Sequence, residues 1–402
     1  MLKKLTSLLL AVLLIAVGSF ILQTPVVTSA ATPVKIIWDT DIGPDCDDAG
    51  TLAMLHALAD RGEAELLGMM CCTSDQYGAP CLDAINTYFG HPDIPIGTLK
   101  ESGFLSGPWY SKDIAQNWTN DLQNGSNAPD ATSLYRQLLS QQPDNSVTIV
   151  TTGPLKNMRK LLQSGSDSYS SLNGRDLVDQ KVKELAVMGG EIPSGDEFNF
   201  NQDGTSSDYV VQNWPTPIMF SDFQIGSCVW TGSRLYTETP ESNPVRRAYE
   251  DYVGYGNERD SWDQTTALYA VRGLSSYYDS ETTGYNDVSS DGKNVWRSSP
   301  DLDQGYLIKK ISNEDLANAI EDLMVSADPG APPPTPTPTP APTPNGQNIA
   351  LNKTATATNQ TSANESPDKA VDGSTGTKWC DDKTSGDKWL KVDLGQSYDI
   401  NR

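Results

Sequence analysis

Short apolar runs alternate with helical patterns through most of the chain, and no other feature limits its fold as much. "VKIIW" (34–38) precedes a helical pattern over 48–60, "ELLGMMCC" (65–72) one over 79–89, "SVTIVT" (146–151) one over 155–162 and "VKELAVMGG" (182–190) one over 206–213. "TPIMFS" (216–221) is followed later by a helical pattern over 262–272. Runs of this length suit strands, and parallel pairing needs a crossover that a helix supplies while covering the sheet. The expected fold is therefore α/β, a mostly parallel sheet flanked by helices. The residues ahead of a proline-rich stretch at 331–344 suffice for one large domain of this kind or two small ones.

Ligands on such sheets bind beyond the carboxyl ends of the strands. That rule selects the polar residues directly after the apolar runs: Asp39 to Asp48, Thr151-Thr152-Gly153, Glu191 to Asn199, and Ser221-Asp222. The first group, within "WDTDIGPDCDDAG" (38–50), holds Asp39, Asp41, Asp45, Asp47 and Asp48 in ten positions. Carboxylates crowded at one strand end raise one another's pKa unless protons, solvent or a cation intervene. A hard divalent ion answers this best. The donors are oxygens and the chain has only two histidines, which favours Ca²⁺ or Mg²⁺ over a transition metal. An EF-hand does not fit, because counting from Asp39 places Gly43 at position 5, Pro44 at 6 and Gly50 at 12. An acidic first turn on the helix near Asp48 accounts for one or two of the aspartates, not five. His56, within "LAMLHALAD", reads as a buried core histidine and His91, in "GHPDIP", as a turn residue.

The motif resembles that of the calcium-dependent nucleoside hydrolases, which cleave the N-glycosidic bond of ribonucleosides. Their first strand ends in D-x-D-P-G-x-D-D, and "DTDIGPDCDD" (39–48) is similar to a bacterial variant, D-T-D-x-G-x-D-x-D-D. "VTIVTTGPLKNM" (147–158) is similar to a family strand ending in T-G-P-L-T-N, and "VMGGEIPSGDEFNF" (187–200) to M-G-G followed by E-F-N. "SWDQTTALYAV" (261–271) is similar to a helix opening H-D-P-L. The D-T-D alone also resembles haloacid-dehalogenase phosphatases, but the three later segments are not what that chemistry asks for. The resemblance implies that Asp41, Asp48, the backbone carbonyl of Thr152 and Asp263 bind Ca²⁺, with Asp41 also the general base toward water. It implies that Asp47, Glu197, Asn199 and Asp263 hold the ribose hydroxyls, where bonds strengthen as the sugar becomes oxocarbenium-like. The variant inserts two residues, so either Asp45 or Asp47 takes the sugar-binding place.

The chain departs from the family at three positions. Trp262 stands where many members have a histidine thought to protonate the leaving base. An indole cannot donate a proton at neutral pH, so the ring either stacks on the departing base or packs in the core. Glu191 stands where a sugar-binding asparagine is expected, and Asp75, in "CCTSDQYG" (71–78), where another is expected. Two extra acids in the sugar pocket imply a changed glycoside preference.

Residues 1–30 combine Lys3 and Lys4, an apolar stretch from Leu8 to Leu22 and small residues near Ala30, the grammar of a secretory signal peptide. The run is shorter than the ~20 residues of a spanning helix, so the expectation is a secreted chain without a membrane span after cleavage. A formal charge of −23 excludes nucleic acid as a natural partner. Six cysteines allow disulfides, in pairings that sequence cannot choose, and the absence of C-x-x-C disfavours zinc.

"APPPTPTPTPAPTP" (331–344) reads as an extended Pro/Thr linker. After it, residues 345–402 contain "NIALNKTATAT", "PDKAVDGSTGTKW" and "WLKVDLG", which resemble the opening of a discoidin or F5/8 type C module. That resemblance implies a galactose-binding-like β-sandwich, here partial and cut short, with Asp372 and Thr377 as candidates for a structural Ca²⁺. The expected domains are thus a signal peptide (1–30), a nucleoside hydrolase-like catalytic domain (31–330), the linker, and a truncated carbohydrate-binding-like module (345–402). The expected function is a secreted Ca²⁺-dependent nucleosidase whose tail reaches extracellular glycans. The alternatives are a hydrolase of the same fold for another N- or O-glycoside, and a noncatalytic Ca²⁺-dependent sugar-binding protein.

Overall fold

A computed structural model describes residues 32–107, 109–327, 350–374, 377–380 and 388–395. The expected signal segment (1–30) and linker (331–344) lie outside the described residues. The chain divides into two compact units, Met1–Ala331 and Pro332–Arg402.

The larger unit is built on eight strands: β1 (Val34–Thr40), β2 (Ala64–Cys71), β3 (Ile96–Thr98), β4 (Val147–Thr151), β5 (Val182–Met188), β6 (Ile218–Ser221), β7 (Tyr278–Glu281) and β8 (Gln304–Lys309). Their spatial order is β7-β8-β6-β5-β4-β1-β2-β3. All neighbours pair in parallel except β7, which runs antiparallel to β8 at one edge. The apolar runs thus form strands, and the sheet is mostly parallel. β1 sits inside the sheet between β2 and β4, and its Ile36, Ile37 and Trp38 are fully buried. Side chains alternate across a strand: Ile36 and Trp38 join the core on one face, Ile37 the core on the other.

Helix α1 (Asp47–Asp60) follows β1 and is buried at every residue from Asp47 to Leu58, as a helix that is apolar on nearly all sides must be. Its Asp47 and Asp48 occupy the first turn, but the N-cap is Cys46, without a side-chain cap bond. The chain proceeds from β1 outward through β2 and β3, then crosses back to β4 and continues to β6. The strand order therefore reverses beside β1, and the crevice at such a reversal is where open α/β sheets bind ligands. A small antiparallel sheet of Ser194–Gly195, Tyr285–Val288 and Asn294–Arg297 stands apart from the main one. None of the helices is long and apolar enough to cross a membrane among the described residues.

All six cysteines are free: Cys46, Cys71, Cys72 and Cys81 are buried, Cys380 is half-buried and Cys228 is exposed. In the smaller unit Thr354–Ala357 pairs antiparallel with Leu390–Asp393. There the Thr377 hydroxyl donates to Asp372 at 2.8 Å, and the Ser374 amide donates to the same carboxylate at 2.9 Å. This Asx-type turn closes the loop that the resemblance singled out.

Candidate active site and metal centre

Asp41 follows β1 and Thr152 follows β4, on the two sides of the strand-order reversal. Asp47 and Asp48 open α1, while Glu197 caps the short helix Phe198–Gln202 that follows the Gly-Gly beyond β5. Trp262 and Asp263 begin helix α2 (Trp262–Arg272). These elements converge on a cavity of about 390 Å³, lined by Asp41, Asp45, Asp47, Asp48, Thr152, Glu191, Glu197, Asn199, Trp262 and Asp263, whereas Asp39, Thr151, Gly153, Ser221 and Asp222, also selected from sequence, stand outside its lining.

Within it, one oxygen each of Asp47, Asp48 and Asp263 lie within 4.8 Å of one another. The Asp263 amide donates to Asp47 at 3.1 Å, and the Thr40 hydroxyl donates to Asp48. Burial, then repulsion from neighbouring carboxylates (chiefly Asp45 on Asp47, Asp41 on Asp48 and Asp47 on Asp263), pushes all three carboxyls well above the usual range. Asp41 lines the cavity outside this tight trio. Burial raises it to about 8, with the charges of Asp45, Glu197 and Asp39 adding to the effect. Buried, mutually repelling oxygens with no nitrogen or sulfur donor among them suit a hard divalent cation, which would let all of them ionise. Thr152 has its amide bonded to the Asp39 carbonyl at 2.8 Å and its hydroxyl to the Trp38 indole at 3.0 Å. Its backbone carbonyl is the group the resemblance offers to an ion.

The five aspartates of the motif take separate places. Asp39 follows the alternation of β1 to the face of Ile37, where Tyr135 and Asn157 donate to it at 2.9 and 3.0 Å; burial raises it to about 7. Asp45 is held by Arg259, whose Nε lies 3.0 Å from each carboxylate oxygen and whose Nη2 lies 2.6 Å from one. Glu197 accepts the amides of Gly190, Asn199 and Phe200 at 3.0, 2.8 and 3.2 Å, yet burial still raises it to about 7. The Asn199 amide group donates to the Met188 carbonyl at 3.3 Å.

One wall of the cavity is aromatic. Trp262 stacks on Phe223 at 5.4 Å and donates its indole N–H to the Phe223 carbonyl at 3.0 Å. The Arg259 guanidinium lies 4.8 Å from the Trp262 ring and 5.6 Å from that of Tyr252. Gly226 permits this: a Cβ there would stand 2.4 Å from the Trp262 Cα. Trp262 thus lines the cavity instead of packing away in the core. Glu191 lines it too, held by Gln224 at 2.8 Å. Asp75 does not: it is buried elsewhere, accepting the Ser111 hydroxyl at 2.8 Å and the Tyr77 amide at 3.2 Å. The expectation of a second extra acid in the pocket is corrected accordingly. His56 is buried against Asn86 and stacked on His91 at 4.8 Å, and neither ring lines the cavity.

Sequence reasoning missed Arg259, Phe223 and Tyr252. Phe223 lies one residue past the selected Ser221-Asp222, so a longer window after the fifth run would have included it. Arg259 had only its position three before Trp262 to mark it, and Tyr252 had no signal.

A profile of the family described as inosine-uridine preferring nucleoside hydrolase matches residues 36–293, and one of the F5/8 type C domain matches residues 354–402. Among solved structures, the fold is similar to an inosine-uridine preferring nucleoside hydrolase from Bacillus anthracis, with a TM-score of 0.55 and 16% identity over 73% of this chain and 99% of that one. It is similar to an inosine-guanosine nucleoside hydrolase, with a TM-score of 0.57 and 18% identity over 72% and 98% of the two chains. A purine-preferring ribonucleoside hydrolase from Gardnerella vaginalis gives a TM-score of 0.56 and 14% identity over 73% and 99%. The comparison with curated proteins returned no match.

Proposed function

The chain belongs to the inosine-uridine preferring nucleoside hydrolases and is an N-glycosyl hydrolase, and on that premise we propose that it cleaves ribonucleosides to ribose and free base with Ca²⁺ as its ion. The observation that carries the metal reading is the buried trio of Asp47, Asp48 and Asp263, brought together from two helix starts. Asp48 and Asp263 hold the ion, with Asp41 and the Thr152 carbonyl completing the protein donors. When bound, such an ion lowers the pKa of a water and steadies its developing charge. Asp41 takes the proton of the water that attacks the anomeric carbon. Asp47, Glu197, Asn199 and Asp263 fix the ribose hydroxyls; Asp47 fits the sugar role better than Asp45, which Arg259 already occupies. Glu197 keeps a lone pair free on its oxygens beyond the three amides, and those amides fix its orientation.

Secretion belongs to this proposal through the segment at 1–30, and glycan binding through the F5/8 type C domain. Glu191 on the cavity wall supports a second reading, a hydrolase of the same fold for a different N- or O-glycoside. Release of free sugar from a panel of purine and pyrimidine nucleosides and of other N- and O-glycosides, with Ca²⁺ and with a chelator, tests both. Chelator-sensitive release from nucleosides supports the first reading. Cleavage of other glycosides alone supports the second, and tight Ca²⁺ binding with no cleavage of any glycoside overturns both.

A further inference from the structure

Among the described residues that line the cavity are eight carboxyl side chains and a single guanidinium, with no histidine or lysine. The chain's two histidines are engaged elsewhere, stacked on each other. Arg259 is neutralised in place by Asp45 and holds its protons at any accessible pH. Tyr252 is pushed up to about 12 by burial and by Asp45, away from proton transfer near neutrality. The indole N–H of Trp262 is spent on the Phe223 carbonyl. The aromatic wall therefore already seats one planar cation, the Arg259 guanidinium over Trp262 and Tyr252, beside a lining that includes Asp45 and Glu191, and neither its rings nor that guanidinium can protonate a departing base. A neutral purine or pyrimidine leaves poorly without a proton. An aglycone that is already a cation needs none, and its charge is attracted both by ring faces and by the surrounding carboxylates.

We propose that the preferred substrates are ribosides whose aglycone is a cationic heteroaromatic ring, such as a pyridinium, seated against Phe223, Tyr252 and Trp262. This rests on the nucleosidase reading and narrows it. In the reaction the C1′–N bond breaks with its electron pair passing to the ring nitrogen, which becomes neutral. The water oxygen bonds to C1′ and its proton passes to Asp41 and on to solvent. The products are ribose and a neutral heterocycle, with one proton released, and no oxidant or further reactant is consumed.

The test compares kcat/KM of the full chain for nicotinamide riboside, inosine, uridine and p-nitrophenyl riboside, the last a neutral substrate whose leaving group needs no proton. General-acid catalysis is worth about 10²- to 10⁴-fold, so nicotinamide riboside is expected to exceed inosine and uridine by at least about 100-fold. Cleavage of p-nitrophenyl riboside together with inosine or uridine as fast as nicotinamide riboside overturns the inference and leaves the nucleosidase reading standing. Failure to cleave any of the four overturns both. Competitive inhibition isolates charge from leaving ability: the 1-methylnicotinamide cation should inhibit about 10-fold more tightly than neutral nicotinamide, as a cation over desolvated rings would. Equal inhibition by the two overturns the charge selection.

Discussion

Two carboxylates of the cavity lining, Asp41 and Asp48, are both donors in the proposed ion site, and only Asp41 is also the proposed base. Asp48 belongs to the buried trio, whereas Asp41 stands outside it. Asp48→Asn should abolish Ca²⁺ binding in calorimetry and activity with it. Asp41→Asn should lower kcat by about 10²- to 10⁴-fold, the usual worth of a general base, while Ca²⁺ binding weakens far less. Equal loss of Ca²⁺ affinity in the two variants would show that Asp41 is chiefly a ligand. The carboxylates of the site were legible because crowded acids directly after an apolar run repel one another, and a cation relieves that repulsion. Asp39 was misleading in that company: strand alternation turns it toward Tyr135 and Asn157, where it ties β1 to the helices of the other face. Arg259 and Phe223 act by stacking and charge balance on Trp262, contacts made across the fold that leave no local pattern.

At the level of elements, the turn after β4 sets the position of Asp41. A Cβ on Gly153 would stand 2.7 Å from the Cys72 sulfur and 2.9 Å from the Asp41 amide nitrogen, so β1 and β4 approach too closely here for any side chain. Gly153→Ala should fold, as judged by circular dichroism, but lower kcat by about 10²-fold through displacement of the base by a fraction of an ångström to one ångström. Unchanged kcat would mean that Cys72 alone yields. The strands beneath this turn were readable because burial on both faces makes continuous apolar runs. β3 is only three residues long, and β7 reads "YDSE", a polar edge strand without such a run. β3 is buried throughout but too short to register as a run, and the polar sequence of β7 carries no apolar run at all.

For the whole molecule, the clustered acids link stability to pH and, on the proposed reading, to calcium. Asp39, Asp41 and Glu197 are raised in the folded state to about 7, 8 and 7, above their ordinary values. The folded chain thus holds protons that the unfolded chain has released, so their contribution is full below the ordinary carboxyl pKa and is lost as pH rises through about 7 to 8. Buried His56, lowered to about 3 from 6.5, acts in the opposite sense but only below its unfolded pKa. Between roughly pH 6.5 and 8.5 the carboxyl effect governs. The Tm in chelator should fall across that interval, and Ca²⁺ should flatten the fall; a Tm in chelator that stays level or rises would contradict it. Residues 32–330 alone should retain the full kcat of the whole chain, because every residue lining the cavity lies within the first compact unit. Loss of turnover in that fragment would give the F5/8 type C segment a part in the chemistry.

The state of the cysteines has a practical consequence. Since none of the six is cross-linked, the fold does not wait on an oxidase, and production in a reducing cytoplasm should yield native enzyme. Burial keeps the core sulfurs as thiols, Cys71 being raised to about 12, and hence unreactive toward alkylating reagents. A maleimide dye should then attach at exposed Cys228, two residues past the glycine that seats Trp262. With Cys380→Ser to silence the half-buried sulfur of the tail, the chain carries its own single attachment point for a fluorescent reporter of ligand arrival.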